Sequence, residues 1–342
     1  MLVAVYYNNN DVRLQEMPKP VIGPDELLLK VMASGICGSD VMEWYRIPTA
    51  PRVLGHEATG VIEAAGENVR RYRVGDRVFV SHHVPCNKCR YCLRGQHTAC
   101  ETLHTTNYYP GGFSQYIRVP KINVEYGVYK LPADMTCEEG TFIEPLGCVV
   151  RGQRIAGVAA GDSVLIIGGG MTGLLHLRLA KQKAVKRAIV ADINPYRIKL
   201  AEKFGADHAV DSRRLPEKLK EINEGELADK VIVCSGAVQA SLTALDCVGK
   251  GGTILFFAVP DPTMKIPVPI TRFWRDDVAV KTSYGAAPND LEESLKLLTR
   301  KSLEVVDMIT HRLGLKEISE GFRLVSKAEE SLKVIIEPNR LS

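Results

Sequence analysis

The feature that most constrains this chain is the run Gly168, Gly169, Gly170, Met171, Thr172, Gly173, which carries the spacing GxGxxG. It follows an apolar stretch, Ser163 to Ile167, that reads as a strand, and it opens an apolar helical stretch from Leu174. In that position each glycine has its own task. Gly168 permits a tight turn, Gly170 lets the backbone approach a pyrophosphate, and Gly173 lets helix and strand pack closely, while the helix N-terminus faces the phosphates. Thr172 sits in the same turn and is a candidate coenzyme contact. Twenty-four residues after Gly168 the next expected strand ends in Asp192. A carboxylate there accepts both hydroxyls of an adenosine ribose and repels a 2′-phosphate, which favours NAD over NADP. Arg197, a turn later, is a candidate for supporting a phosphate; its plain alternative is a solvated helix residue covering the adenine.

From about Gly161 apolar strands alternate with amphipathic helices, the pattern of βαβ units and a parallel sheet. The expected strands are Ser163 to Ile167, Arg187 to Ala191, Ala209 to Val210, Lys230 to Cys234, Gly252 to Phe257 and Val278 to Thr282. Six such strands make a doubly wound Rossmann domain. The first half differs, with short β runs such as Glu26 to Val31, Gly60 to Ala65 and Asp76 to Val80 broken by glycine and proline, as in a small barrel with long loops. After Gly285 a helical stretch, Leu291 to Lys301, and a β-like run, Ser331 to Ile336, return to the first domain. With 342 residues the chain is too long for one ordinary core. The expected division is 1–150 with 286–342 as one domain and 151–285 as the coenzyme domain.

Hydrophobic residues at 45% and charged residues at 25% fit a soluble globular protein, and a net charge of +4 is too weak and dispersed to mark a nucleic-acid surface. No apolar segment reaches membrane-spanning length and the first ten residues lack the pattern of a secretory signal, so a cytoplasmic location is expected. Nine cysteines are an odd number, and four of them crowd between Cys86 and Cys100, which points to metal chemistry in a reducing compartment rather than disulfides. Cys86, Cys89, Cys92 and Cys100 stand in CxxCxxCx7C, and four thiolates on one short loop close a tetrahedral shell around Zn²⁺ with no open position. A structural zinc lobe over about 82–105 is expected. Cys137, Cys148, Cys234 and Cys247 read as small core residues, and His82, His83, His97 and His104, which match no motif, as surface or packing residues.

Three further segments remain: Gly35, Ile36, Cys37, Gly38, Ser39, Asp40; then Gly55, His56, Glu57; then Ile143, Glu144, Pro145, Leu146, Gly147. With the cysteine lobe and the coenzyme turn they occur in the order found in the zinc-containing medium-chain dehydrogenases, which the chain resembles over essentially its whole length, nearest the polyol, sugar and threonine branch. The resemblance implies a first domain related to the GroES fold and a catalytic zinc in the cleft between domains. It also implies Cys37 and His56 as ligands, Glu57 and Glu144 as carboxylates that complete or exchange in the shell, and Asp40 as the group orienting His56. One thiolate with two carboxylates brings more negative charge than Zn²⁺ carries, so one carboxylate is expected to be labile. The implied reaction is oxidation of a secondary alcohol to a ketone, with the zinc lowering the pKa of the hydroxyl and hydride passing to the nicotinamide.

Ser39 stands where the family's relay hydroxyl passes the proton toward the nicotinamide ribose. Three residues on, where many relatives carry a histidine, this chain has Met42, which cannot shuttle a proton. Glu43, Glu57, Glu144 or a water chain are the candidates for the exit. The arginine and tyrosine that polyol relatives place after the last coenzyme strand are replaced by Thr282, Ser283, Tyr284 and Gly285, which weakens the case for sorbitol itself. Trp44, Tyr45, Tyr108 and Tyr109 are candidates for lining a sugar-sized pocket or for plain loop packing. The expected substrate class is a small polyol, sugar, cyclitol or hydroxy amino acid, and relatives suggest a homo-oligomer, tetramer or dimer. Two rivals are a simple alcohol dehydrogenase or ketone reductase on the same fold and a non-catalytic zinc or NAD-binding protein. A nucleic-acid role for the lobe is disfavoured because it lacks a basic helix or aromatic platform.

Overall fold

The structure is a computed structural model and describes residues 1–340. It divides into two compact units: Met1–Gly147 together with the segment from Ala286 onward, and Cys148–Gly285. Among the described residues, no helix is long and apolar enough to cross a membrane.

The second unit is a six-stranded parallel sheet whose order is His208–Asp211, Arg187–Asp192, Ser163–Ile167, Ala228–Val233, Val248–Phe256, Ala279–Thr282. All five pairings are parallel. Strand order reverses between Ser163–Ile167 and Ala228–Val233, and in open α/β sheets ligands bind outside the carboxyl ends of the strands at that switch point. The central strand, Ser163–Ile167, is buried at every residue, as expected of a parallel strand covered on both faces. Leu165, Ile167, Ile189, Val231, Val233, Ile254 and Phe256 form the core of this unit with helix residues such as Ala244 and Leu245.

The first unit is built on antiparallel pairing. Strand Leu27–Gly35 is central to a seven-stranded sheet, paired with Glu57–Ala65, Lys333–Glu337 and Tyr116–Val119. Arg77–Ser81 and Val128–Lys130 extend the sheet on one side and Ile309–Gly314 on the other, and the last of these runs parallel to Lys333–Glu337. The return of the chain after Gly285 therefore supplies two strands of the first unit's sheet. A smaller sheet orders Asp11–Glu16, Leu2–Asn8 and Arg52–Val53. Val3, Tyr6, Phe113, Phe322, Val334 and Ile336 pack into one core of this unit, while Leu27, Val31, Ile62, Val78 and Ile117 pack into another.

Candidate metal and coenzyme sites

Cys37 begins a single 3₁₀ turn, Gly38–Val41, that its own chemistry holds in place. Its Sγ accepts from Ser39 N at 3.5 Å, while Asp40 Oδ2 accepts from Cys37 N at 3.1 Å, a reciprocal cap that fixes the thiol at the head of the turn. His56 and Glu57 arrive at the start of strand Glu57–Ala65, which pairs Glu57 with Gly35. Ligand atoms of Cys37, His56 and Glu57 all lie within 4.8 Å of one another. Asp40, fully buried, faces the ring of His56 with Oδ1 3.3 Å from Nδ1, so Nε2 is the ring atom left for a metal. Burial would lower the pKa of His56, but the Asp40 carboxylate and Cys37 outweigh it and raise the pKa well above its usual value. Burial would likewise raise the pKa of Asp40, yet His56, Arg46 and the Cys37 N–H together lower it. A metal bound at Nε2 would compete with a proton for that nitrogen.

Glu57 is wholly buried and meets Lys333 Nζ, also wholly buried, through Oε2. Lys333 donates as well to Thr141 O at 3.3 Å, and its ammonium lies 4.8 Å from the centroid of the Phe142 ring. The two side chains come from strands on opposite sides of Leu27–Gly35 and meet across Gly35, where a Cβ would lie 2.0 Å from Glu57 Oε2. Glu57 Oε1 is buried and has no hydrogen-bond partner among the described residues. A buried carboxylate with one oxygen neutralised and the other bare, beside a thiol and an imidazole, suits a divalent cation. Glu144 lies in the first turn of helix Ile143–Ala156 and is buried, but it falls outside the convergent set of Cys37, His56 and Glu57. With Asp40 and Glu57 it adds to burial in raising the pKa of Tyr108.

Several residues around this set carry no motif and were not expected here. Arg46 donates from Nε to Ser39 O at 2.9 Å and from Nη2 to Ser39 Oγ at 3.1 Å and Asp40 Oδ1 at 3.3 Å. Ser39 Oγ in turn lies 3.4 Å from Cys37 Sγ. The ring of His82 lies 4.9 Å from that of His56 and 3.8 Å from that of His83. His82 and His83 are thus packing residues, and the strand ending at Ser81 delivers them against the ring of His56. Burial, with nearby cations, lowers the pKa of His82 well below the usual value and that of His83 to about 3. Tyr108 is buried and donates to Gly55 O at 3.2 Å, a packing role, whereas Trp44, Tyr45 and Tyr109 are exposed. Glu43 accepts from Asn9 N at 3.0 Å.

In the cysteine lobe the four Sγ atoms of Cys86, Cys89, Cys92 and Cys100 lie within 4.8 Å of one another. Cys89 and Cys92 are 3.5 Å apart at sulfur, Cys86 and Cys100 3.6 Å, far beyond a disulfide and close to the ~3.8 Å edge of a thiolate tetrahedron around Zn²⁺. Cys86 accepts from Cys89 N and Cys100 from Cys86 N. Burial alone would raise the pKa of Cys100, but the N–H groups of Cys86 and Leu103, with side-chain hydrogen bonds from Cys86 and Thr102, bring it down to about 6, toward the thiolate that a metal requires.

The coenzyme turn follows strand Ser163–Ile167 directly. Gly168 adopts φ +109° in the left-handed region, and a Cβ on Gly173 would lie 1.9 Å from Gly168 O, so strand and helix Met171–Gln182 approach as closely as glycine allows. A Cβ on Gly170 would meet nothing nearer than the Arg197 guanidinium at 3.8 Å; that open space is what a pyrophosphate needs. Thr172 hydrogen-bonds Cys234. Asp192 ends the neighbouring strand, where Oδ2 accepts from Gly169 N at 2.6 Å and Oδ1 from Asn194 N at 2.8 Å. Arg197 Nη1 stands 3.8 Å from Asp192 Oδ2, and its Nε is buried without a partner among the described residues.

A parallel sheet with a dinucleotide turn in one unit, and a convergent Cys–His–Glu set in the other, define the class of metal-dependent oxidoreductases that use a nicotinamide coenzyme. Comparison with known proteins makes this specific. Residues 23–133 match the family model described as alcohol dehydrogenase GroES-like domain, and 172–300 match that described as zinc-binding dehydrogenase. An L-threonine 3-dehydrogenase of Rhizobium johnstonii is 30% identical over 337 residues, covering 95% of this chain and 94% of that protein. A sorbitol dehydrogenase of Ovis aries is 32% identical over 344 residues, covering 98% and 96%. The solved structure of a zinc-binding dehydrogenase of Sinorhizobium meliloti 1021 bound to NADP superposes with a TM-score of 0.87 at 26% identity, covering 98% of this chain and 99% of that one. The chain belongs to the zinc-dependent medium-chain alcohol dehydrogenase family, and it is an oxidoreductase of alcohols and polyols.

Proposed function

We propose that this protein uses NAD to oxidise a secondary alcohol on a small polar compound, a polyol, sugar, cyclitol or hydroxy amino acid, and that it holds two zinc ions per chain. The observation that carries the reading is the meeting of Cys37 Sγ, a ring nitrogen of His56 and a carboxylate oxygen of Glu57, whose Oε1 has no hydrogen-bond partner among the described residues. When bound, zinc would supply Lewis acidity toward the alcohol oxygen and the nicotinamide would accept the hydride. Cys37, His56 and Glu57 would hold the metal, with Glu144 as the carboxylate that the resemblance implies can exchange. Asp40 fixes the tautomer and angle of the His56 ring. Ser39 Oγ, beside Cys37 Sγ, would take the hydroxyl proton of the substrate while giving up its own toward the nicotinamide ribose, the relay step that the family resemblance implies. Arg46, donating to Ser39 Oγ and Asp40, holds both where that transfer needs them. Cys86, Cys89, Cys92 and Cys100 would hold the second zinc, closed to substrate.

The preference for NAD rests on Asp192, a carboxylate fixed by two backbone N–H donors where a 2′-phosphate would fall. Gly168, Gly170, Thr172 and Gly173 would bind the pyrophosphate. The NADP-bound relative and the adjacent guanidinium of Arg197 favour a second reading in which NADP is also accepted. The test is reduced-coenzyme formation near 340 nm with NAD and with NADP, across alcohols, polyols, aldoses, cyclitols and threonine, with zinc counted on the same sample. The expected result is turnover of a polyhydroxy or hydroxy amino acid compound with NAD, about two zincs per chain, and loss of activity with one zinc in Cys37→Ser. A chain that binds neither zinc nor coenzyme would overturn the reading.

A further inference from the structure

The ion pair between Glu57 and Lys333 involves one of the three residues proposed to hold the metal. Glu57 belongs to the convergent group with Cys37 and His56, whose ligand atoms all lie within 4.8 Å of one another, yet its Oε2 accepts from Lys333 Nζ. Both side chains are wholly buried. Apart from this carboxylate the ammonium has two weaker partners, Thr141 O at 3.3 Å and the Phe142 ring, whose centroid lies 4.8 Å from Nζ. Gly35 keeps the pair closed: a Cβ there would lie 2.0 Å from Glu57 Oε2 and 2.5 Å from Lys333 Nζ, so only a residue without a side chain fits beside them.

The other charges have partners of their own or stand outside the group. Asp40 takes Arg46 and the ring of His56, and His56 is neutral whenever Nε2 holds a metal in place of a proton. Glu144 is buried but lies outside the convergent group and has interactions of its own. With a divalent ion in place, two cations, the metal and Lys333, therefore face the Cys37 thiolate and the single carboxylate of Glu57. If both oxygens of Glu57 bound the metal, Oε2 would leave Lys333, and a buried ammonium would keep only a carbonyl and a ring, a costly state. Binding by Oε1 alone, the oxygen with no hydrogen-bond partner among the described residues, satisfies both cations.

We propose that Lys333 is a positioning residue for the metal centre: by keeping Oε2 it restricts Glu57 to one-oxygen ligation and weakens its hold on the ion. Glu57 then neutralises less of the metal's charge and leaves room in its shell, the two properties that a Lewis-acid site needs and a structural site lacks. This rests on the zinc reading above and adds the residue that sets the strength of one ligand. Without the ammonium the same carboxylate is free to give both oxygens, which trades Lewis acidity for affinity.

The test is titration of Co²⁺ into the full-length protein after dialysis against a chelator that leaves zinc in the cysteine lobe alone, read by the thiolate-to-cobalt and d–d absorption bands. The unaltered protein is expected to show the strong d–d absorption of a four-coordinate ion. Lys333→Met is expected to bind Co²⁺ at least about tenfold more tightly, with the weaker d–d absorption of a higher coordination number, while Lys333→Arg stays within about threefold of the unaltered protein. In a Glu57→Gln background the Lys333→Met change is expected to gain about threefold or less, because the carboxylate through which it acts is gone. Lys333→Gln, which loses the charge and keeps a donor for Thr141 O, is expected to shift affinity in the same direction and serves where Lys333→Met does not fold. Unchanged or weaker Co²⁺ binding in a folded Lys333→Met or Lys333→Gln protein would overturn the proposal. So would an equal gain with and without the Glu57 carboxylate, or a five-coordinate spectrum in the unaltered protein. A protein that takes up no Co²⁺ at Cys37 and His56 would overturn the zinc reading itself, a different result from any of these.

Discussion

Lys333 is the residue whose consequences run deepest. It sits in an otherwise apolar β run, and nothing local says what its ammonium meets; the partner, Glu57, is 276 residues away and reaches it only because strand register sets both against Gly35. The family resemblance pointed to Cys37, His56, Glu57 and Asp40, but nothing in the sequence pointed to Lys333, which meets Glu57 only through strand register, or to Arg46, which turns back on Ser39 and Asp40 from a few residues along the chain. A buried carboxylate deprived of its only cation is expensive, whereas removing both charges together is far less so. Lys333→Met is therefore expected to lower stability by about 3–5 kcal/mol in urea unfolding of the metal-free protein, and Lys333→Met with Glu57→Gln to recover more than half of that loss. Equal stability of the single variant and the unaltered protein would mean that the ion pair contributes nothing.

At the scale of elements, the two units differ in how openly the sequence displays them. Ser163–Ile167, buried at every residue, was legible to the residue, and the other five parallel strands to within a few, because each lies between glycine turns and amphipathic helices even where, as in Ala279–Thr282, it is exposed. The antiparallel sheet was legible only in part: its partners are distant, its faces carry polar residues such as Thr59 and Lys333, and strand Arg77–Ser81 gives no sign that the histidines following it fold back on His56. The glycine turn offers the sharpest test, since its three glycines differ in what they must avoid. A methyl at 173 would meet Gly168 O at 1.9 Å, while one at 170 would find only the Arg197 guanidinium at 3.8 Å. Gly173→Ala is expected to lower the thermal midpoint by several degrees or to prevent folding. Gly170→Ala should stay within about 2 °C of the unaltered protein yet bind NADH at least about tenfold more weakly by fluorescence titration.

At the scale of the whole molecule, the proposed metal and coenzyme sites belong to different units. Both groups able to hold a metal, Cys37 with His56 and Glu57 and the four lobe cysteines, lie in the first unit, and the second contains no such group among the described residues. The second is held instead by a continuous apolar core of strand and helix residues. The lobe has little apolar substance of its own: Leu103 packs among the cysteines, and the rest is a series of short turns held by local backbone hydrogen bonds, which a metal joining the four sulfurs would tie together. Binding of a metal to such a loop is folding free energy for that loop, while the dinucleotide turn owes it nothing. Exhaustive chelation should therefore abolish turnover and lower the first thermal transition by about 5 °C or more, while NADH binding measured on the same metal-free sample changes by no more than about threefold. Zinc added back should restore stability and activity together. If chelation instead abolished NADH binding and left the first transition in place, the metal would be supporting the coenzyme unit, and the division of labour read from these two units would be wrong.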